Sequence, residues 1–146
     1  MSGVNPRYVQ GPVTYQVVET VVGGQLVEAR TGGKVGVAAA GSVRCLGVAT
    51  KDATPTVAGT GTDVFGNPTF ALQMVTDQVA VGGSDAIYPV TYSANATFGD
   101  RLVCTANGTV APAGAAPDAR TVVGVCAEPN GVVIATNVIG LAKILV

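Results

Sequence analysis

Carboxylates are the side chains in this sequence best suited to chemistry, because a pair of acids can act as general acid and base. The candidates are Glu19, Glu28, Asp63, Asp77, Asp85, Asp100, Asp118 and Glu128. No two of them have the spacing of a recognised catalytic pair, so each is expected to be a solvated loop carboxylate. Asp100 follows Gly99 and is expected to form a turn that opens a strand. The chain has no histidine, which removes the commonest general base, the Ser-His and Cys-His pairs and most zinc sites.

Two glycine-rich segments, residues 32–34 and 59–61, are the candidates for phosphate binding. Neither lies between a strand and a helix, and neither completes a Walker or dinucleotide fingerprint. The three cysteines, Cys45, Cys104 and Cys126, are widely spaced and are expected to be buried free thiols of a protein made in a reducing compartment. We therefore expect no enzymatic activity, no cofactor and no bound metal.

The most complete structural unit in the sequence is residues 98–132, which read as strands with their turns. Residues 102–104 are an apolar run, and Asn107-Gly108 suits a two-residue hairpin turn with positive φ at both positions. A loop rich in proline, alanine and glycine follows. Residues 121–126 are a second apolar, β-branched run, and the turn signal at Asn130-Gly131 closes it.

Residues 24–52 repeat this plan in the same order. Residues 26–27 align with 102–103, 32–33 with 107–108, 34–35 with 109–110, and 45–49 with 122–126. The pattern predicts a duplicated hairpin-plus-strand unit. The alternative is the chance self-similarity of any β chain that is rich in glycine, valine and alanine.

The whole pattern predicts an all-β fold, a compact barrel or sandwich of short strands, with no convincing amphipathic helix. Residues 23–146 are expected to form one domain, and residues 1–22 an extended N-terminal arm, because Pro6 and Pro12 disfavour helix there. Residues 13–22 alternate well enough to be a strand, either in this chain or on a neighbour. Pro89 places the strand at residues 86–92 at an edge or bulge. The long connection at residues 51–69 is typical of a loop that is functional or contacts another chain.

The composition favours a protein whose surface is partly covered by other chains. Charged residues make up 12% of the chain, about half the roughly 25% of an ordinary soluble domain, and apolar residues make up 48%. An obligate oligomer or a member of a larger assembly is expected, and the alternative is a monomer surfaced by Gly, Thr and Ser. The net charge is −1, and the basic residues are spread along the chain and form no basic stripe. Neither nucleic acid nor a membrane surface is therefore an expected partner.

The second unit resembles the small head-decoration, or capsid cement, proteins of tailed bacteriophages. The resemblance rests on FGDRLVCTANGTVAP, then RTVVGVCAEPNG and a final β segment, and it covers the C-terminal third, with a weaker copy at residues 47–49. The matching residues are Gly99, Asp100, Leu102, Val103, Asn107, Gly108, Val110, Val123, Gly124 and Val125. These residues form the fold and do not indicate a binding site.

The resemblance implies a homotrimer on the outer surface of the phage head, made in the host cytoplasm and bound to the major capsid protein. We expect the N-terminal arm to contact the capsid through Pro6, Arg7, Tyr8, Val9, Pro12 and Tyr15. The residues expected to form turns are Gly32, Gly33, Asn107, Gly108, Asn130 and Gly131. Two alternatives remain: a head-fibre or tail module, and a soluble ligand-binding β-barrel.

Overall fold

The computed structural model describes residues 11–56, 61–69, 75–83 and 85–146. Over these residues the regular structure is β strand, with three single-turn 3-10 segments and no α-helix, which confirms the all-β prediction. The strands are β1 (Val13–Gln16), β2 (Leu26–Ala29), β3 (Val35–Val37), β4 (Cys45–Ala49), β5 (Gly61–Thr62), β6 (Pro68–Thr69), β7 (Gln78–Gly82), β8 (Ile87–Thr91), β9 (Arg101–Cys104), β10 (Val110–Pro112), β11 (Val122–Cys126) and β12 (Ile139–Ile144).

Two antiparallel five-stranded sheets have the same topology. The first has the order β1-β7-β4-β2-β3 and the second the order β8-β12-β11-β9-β10. The orders coincide when β1 is matched with β8, β2 with β9, β3 with β10, β4 with β11 and β7 with β12. Each sheet is curled, and one isolated parallel bridge links its two edges: Val17 with Val35 in the first sheet and Tyr92 with Val110 in the second. A single bridge is not a strand ladder. Neither sheet closes into a barrel, and the arrangement is a sandwich.

Residue-level pairing shows how the two copies correspond. Val27 pairs with Gly47 in the first sheet, and Leu102 pairs with Gly124 in the second. Val27 therefore corresponds to Leu102, and the sequence alignment of residues 26–27 with 102–103 is shifted by one residue. Backbone hydrogen bonds repeat in the same way. The bond from Val18 N to Val35 O (3.0 Å) corresponds to that from Ser93 N to Val110 O (2.8 Å). The bond from Gly24 N to Ala49 O (2.8 Å) corresponds to that from Gly99 N to Cys126 O (2.9 Å).

The two matched hairpins turn through residues in the left-handed region of backbone space. The φ angles are 74° and 70° at Gly32 and Gly33, and 59° and 65° at Asn107 and Gly108. Glycine and asparagine are the residues that adopt this conformation at least cost. The first turn is open, since a Cβ atom on Gly33 would meet nothing within 4 Å, whereas a Cβ atom on Gly108 would lie 2.6 Å from the carbonyl oxygen of Leu26.

Each sheet encloses its own core, and the outer face of the first sheet covers the second core. The first core consists of Val17, Val21, Val27, Val35, Ala49, Ala53, Val79 and Val81. The second core contains the residues of the second sheet that correspond to those of the first core. It also contains Leu26, Ala38 and Val48, which belong to the first copy. The copies are thus packed head to tail, with no two-fold symmetry between them.

The N-terminal part of the fold corrects one prediction. Residues 13–16 are β1, which pairs with β7 of the same chain, and Val17 and Val21 are 2% and 0% exposed. The alternation of apolar residues in this segment buries one side of it in the first core, so residues 13–22 belong to the domain and are not an extended arm. Residues 1–10 lie outside the described residues.

Pro89 was predicted to place its strand at an edge or bulge of a sheet. It lies in β8, which is an edge strand of the second sheet.

Candidate functional site

The candidate carboxylates are dispersed, and each serves the local structure. Glu19 and Glu28 are brought together by Arg30, whose guanidinium lies 3.4 Å and 2.8 Å from their oxygens. The others have separate partners: Asp63 with Asn67, Asp77 with Gln16 and Thr56, Asp85 with Lys143, Asp100 with the amide of Thr97, Asp118 with Arg120, and Glu128 with the amide of Leu141.

Glu28 is the most buried of these acids, and its surroundings favour the charged form. Burial opposes ionisation, but the hydrogen bonds from Ser42 and the amide of Ala39, with the charge of Arg30, outweigh it and lower the pKa of Glu28. Its oxygens are fully engaged by these structural groups. Over the described residues, no cluster of three His, Cys, Asp or Glu side chains could hold a metal ion. In the same residues no helix is long and apolar enough to cross a membrane.

The six predicted capsid-contacting residues do not form one described surface. Pro6, Arg7, Tyr8 and Val9 lie outside the described residues. Pro12 is exposed just before β1, and Tyr15 is half-buried on β1 against the first core. The capsid contact itself stays a prediction for these residues.

The most exposed large apolar side chains lie at the tip of the β5–β6 hairpin. Val64 is 94% exposed and Phe65 is 86% exposed. Folding gains nothing from apolar side chains that stay in water, and exposed apolar residues that lie side by side are a feature of surfaces that bind other proteins. The tip is therefore the clearest candidate interaction site in the described part of the chain.

The backbone of this tip is held by a single carboxylate. Asp63 Oδ1 accepts hydrogen bonds from the amides of Phe65 (2.8 Å) and Asn67 (2.9 Å), and its Oδ2 accepts one from the Asn67 side chain (3.1 Å). Asp63 and Asn67 also pair through their backbones, and Gly66 takes a positive φ of 81°. The hydrogen bonds from Asn67 and Phe65 hold the pKa of Asp63 below its ordinary value. Val64 and Phe65 are thus presented on an ordered turn.

A second exposed apolar surface lies on the outer face of β8 and β12. Ile87, Ile139 and Leu141 are 57%, 53% and 39% exposed. Leu141 pairs with Pro89, so these side chains share one face of the sheet. A groove of about 300 Å³ runs beside it at the junction of the two sheets, between Gly24 of the first copy and Tyr88 of the second.

Sequence reasoning identified the long loop at residues 51–69 but missed the tip within it. The available signal was the segment DVFGN, in which two apolar residues stand between an aspartate and a Gly-Asn pair. Aspartate four residues before asparagine, with glycine between them, is typical of a hydrogen-bonded turn. Two apolar residues inside such a turn have nowhere to be buried within their own loop.

Comparisons with known proteins show the fold. No family model and no curated protein matches this chain. Among solved structures, the chain is similar to the crystal structure of the head fiber gp8.5 N base in bacteriophage phi29, with a TM-score of 0.57 and 20% identity. The match covers 91% of this chain and 92% of that chain. At this identity the likeness establishes a shared fold over nearly the whole length of both chains.

Proposed function

We propose that this chain is a structural protein of a bacteriophage particle, seated on the outside of the head. The observation that carries the proposal is the fold shared with the head fiber gp8.5 N base over 91% of the chain. The resemblance of the C-terminal third to head-decoration proteins supports the same setting. The proposal includes no catalytic step, cofactor, nucleic acid or membrane partner.

Within that setting, our first candidate role is a decoration, or cement, protein that binds the major capsid protein as a homotrimer. A trimer presents three copies of one contact, so that after the first contact the others become effectively intramolecular. Binding to the assembled shell alone would then stabilise the shell by mass action. The low content of charged residues, 12%, suits a chain that is covered by others.

The second candidate role is a component of a head fibre base, which is favoured by the protein named in the structural match. The two roles differ in copy number. Quantitative mass spectrometry of purified particles, with the major capsid protein as reference, should give comparable amounts for a decoration protein and a small number of copies for a fibre base. Absence of the chain from particles would overturn both.

The Val64–Phe65 tip is the part of the surface that we assign to contact with the head. Its side chains are almost wholly exposed, and the Asp63 carboxylate holds its backbone in a hydrogen-bonded turn, which lowers the entropic cost of binding. Aromatic anchors of this kind contribute a large share of binding free energy at protein interfaces.

The test compares two exposed phenylalanines. Phe65→Ala should weaken binding to heads that lack the protein by roughly tenfold or more, the effect of losing one anchor. Phe98→Ala is the matched control, since Phe98 is 66% exposed at a turn of the second copy, and it should bind as the parent does. Both variants should fold, because both rings lie largely in water. Equal binding by the two variants would remove the tip from the proposal.

The contact predicted for the N-terminal arm can be tested by a deletion that ends before β1. Removing residues 13–22 would delete β1 together with the core residues Val17 and Val21, and the domain would be expected to unfold. Deletion of residues 2–12 stops before β1. If the arm contacts the head, this truncated chain should fold and oligomerise as the parent does but bind heads more weakly; full binding would leave the tip as the assigned contact.

A further inference from the structure

The head-to-tail packing of the two copies depends on one row of residues across the first sheet. Leu26 pairs with Val48, and Val48 pairs with Gly82. Leu26 and Val48 are 0% and 1% exposed because the second copy covers them. Gly82 leaves room there for the ring of Tyr88, which would have to shift if residue 82 carried a Cβ atom. We call these three residues the first row.

Backbone contacts fix the second copy in this position. Thr91 N donates to Gly24 O (3.2 Å), Gly41 N to Cys104 O (2.9 Å), and Gly108 N to Ala38 O (3.1 Å). The docked surface of the second copy is therefore the part around Tyr88 on β8 and the Asn107-Gly108 turn. This contact joins two different surfaces, so it is heterologous.

The second sheet carries the matching row, which we call the second row: Arg101 pairs with Val125, and Val125 pairs with Lys143. Arg101 is exposed, Val125 is half-buried, and the Lys143 side chain is 47% exposed and lies 3.2 Å from Asp85. The apolar residues Ile139 and Leu141 lie on the same face. Where the first row has a buried leucine and a glycine, the second row thus has two cations.

The first copy also retains the counterpart of the docked surface. Val13 pairs with Val81 in the first sheet, and Tyr88 pairs with Ala142 at the same place in the second sheet. Val13 is therefore the counterpart of Tyr88, and the Val13 side chain is 37% exposed. The turn at Gly32 and Gly33, the counterpart of Asn107-Gly108, is exposed. A second chain could therefore place its first copy on the second row of this one, and the contact could repeat without limit, since heterologous contacts that do not close into a ring build filaments.

We propose that Arg101 and Lys143 prevent this chain from stacking head to tail on a second copy of itself through the second row. Burying two cations beneath an apolar surface is strongly unfavourable, since Arg101 would gain no partner and Lys143 would have only the carboxylate of Asp85. Lys143 in addition fills the space that Gly82 leaves open for Tyr88. The partner that the surface is shaped for, and is prevented from accepting, is the β1 end of an identical chain.

The test is to restore the first-row residues in the second row. The double variant Arg101→Leu, Lys143→Gly should form species larger than the parent, whose sedimentation coefficient rises steadily with protein concentration. Arg44→Leu, Lys51→Gly removes the same two charge types from exposed positions elsewhere and should sediment as the parent does. Circular dichroism checks that each variant is folded.

A third substitution separates specific stacking from nonspecific aggregation. Adding Val13→Lys to the double variant places a charge on the surface that would dock and should return the parent's sedimentation behaviour. A folded double variant that sediments as the parent at every concentration would overturn the proposal, and so would growth that Val13→Lys leaves unchanged. If the glycine in β12 unfolds the chain, Arg101→Leu with Lys143→Ala gives the same comparison with a milder backbone change.

Discussion

The matched turns of the two copies allow a sharp test of how the sheets pack. Gly33 and Gly108 occupy corresponding positions, with φ angles of 70° and 65°. An alanine at either site must adopt a left-handed conformation, which costs about 1–2 kcal/mol. Part of that cost is offset by about 0.4–1 kcal/mol, because alanine restricts the unfolded chain more than glycine does. These two terms are the same at both sites and cancel in the comparison.

The sites differ in what the new methyl group meets. At Gly33 nothing lies within 4 Å, whereas at Gly108 the methyl carbon would lie 2.6 Å from Leu26 O and 3.1 Å from a Val37 methyl group. The near atom is backbone of the first sheet, so relief requires the two copies to move apart. Overpacking of this kind typically costs about 1–3 kcal/mol. Gly108→Ala should therefore be destabilised by about 1–3 kcal/mol more than Gly33→Ala.

Urea denaturation followed by far-UV circular dichroism, at one protein concentration, measures this difference. Thermal unfolding should show it as well, at roughly 2–4 °C for each kcal/mol in a chain of this size. Equal destabilisation of the two variants would mean that the Asn107-Gly108 turn does not lie against the first sheet in solution. The packing described for the copies would then be wrong.

Two further predictions concern titratable groups that folding removes wholly or partly from water. Because folding lowers the pKa of Glu28, its contribution to stability is complete above the ordinary value of 4.5 and is lost as pH falls through the lowered value. Glu28→Gln should cost about 1–3 kcal/mol at neutral pH and reduce the loss of stability in acid, measured by urea denaturation across pH; an unchanged acid profile would contradict this. Cys104 is buried as expected, whereas Cys45 is half-buried; burial raises the pKa of Cys104 to about 12 and of Cys45 to about 11, so a thiol reagent should label both slowly until urea is added. Immediate labelling of the folded chain would contradict that burial.

Local signals predicted much of the fold. The β-branched runs and glycine turns indicated an all-β chain, and Pro89 indicated an edge strand because proline cannot donate a ladder hydrogen bond. The alignment of Leu26 with Leu102 was wrong because side chains alternate between the faces of a strand, so a shift of one residue exchanges the two faces. Leu26 faces the second copy, whereas Leu102 faces its own core. Apolar character is the same on both faces and could not distinguish them.

The candidate interaction surfaces were harder to predict because they depend on packing between distant segments. The separation of β1 from the supposed arm required its partner β7, which is more than 60 residues away in the chain. The exposure of Val64 and Phe65 follows from the isolation of their hairpin, and composition alone does not reveal that. The two cations of the second row stand out only when that row is compared with the buried first row. That comparison needs the pairing register of six strands.

The placement of charge in this chain bears on why the two copies have diverged. The chain has only eight lysines and arginines, and two of them stand on the one row whose counterpart is buried and uncharged. A duplicated unit whose copies pack head to tail necessarily leaves one docking surface and one acceptor surface free at its ends. In repeat proteins the terminal units carry polar outer faces for this reason. In our proposal, Arg101 and Lys143 make the second sheet such a terminal unit, so that a chain of low charge does not stack on itself although Val64 and Phe65 are exposed.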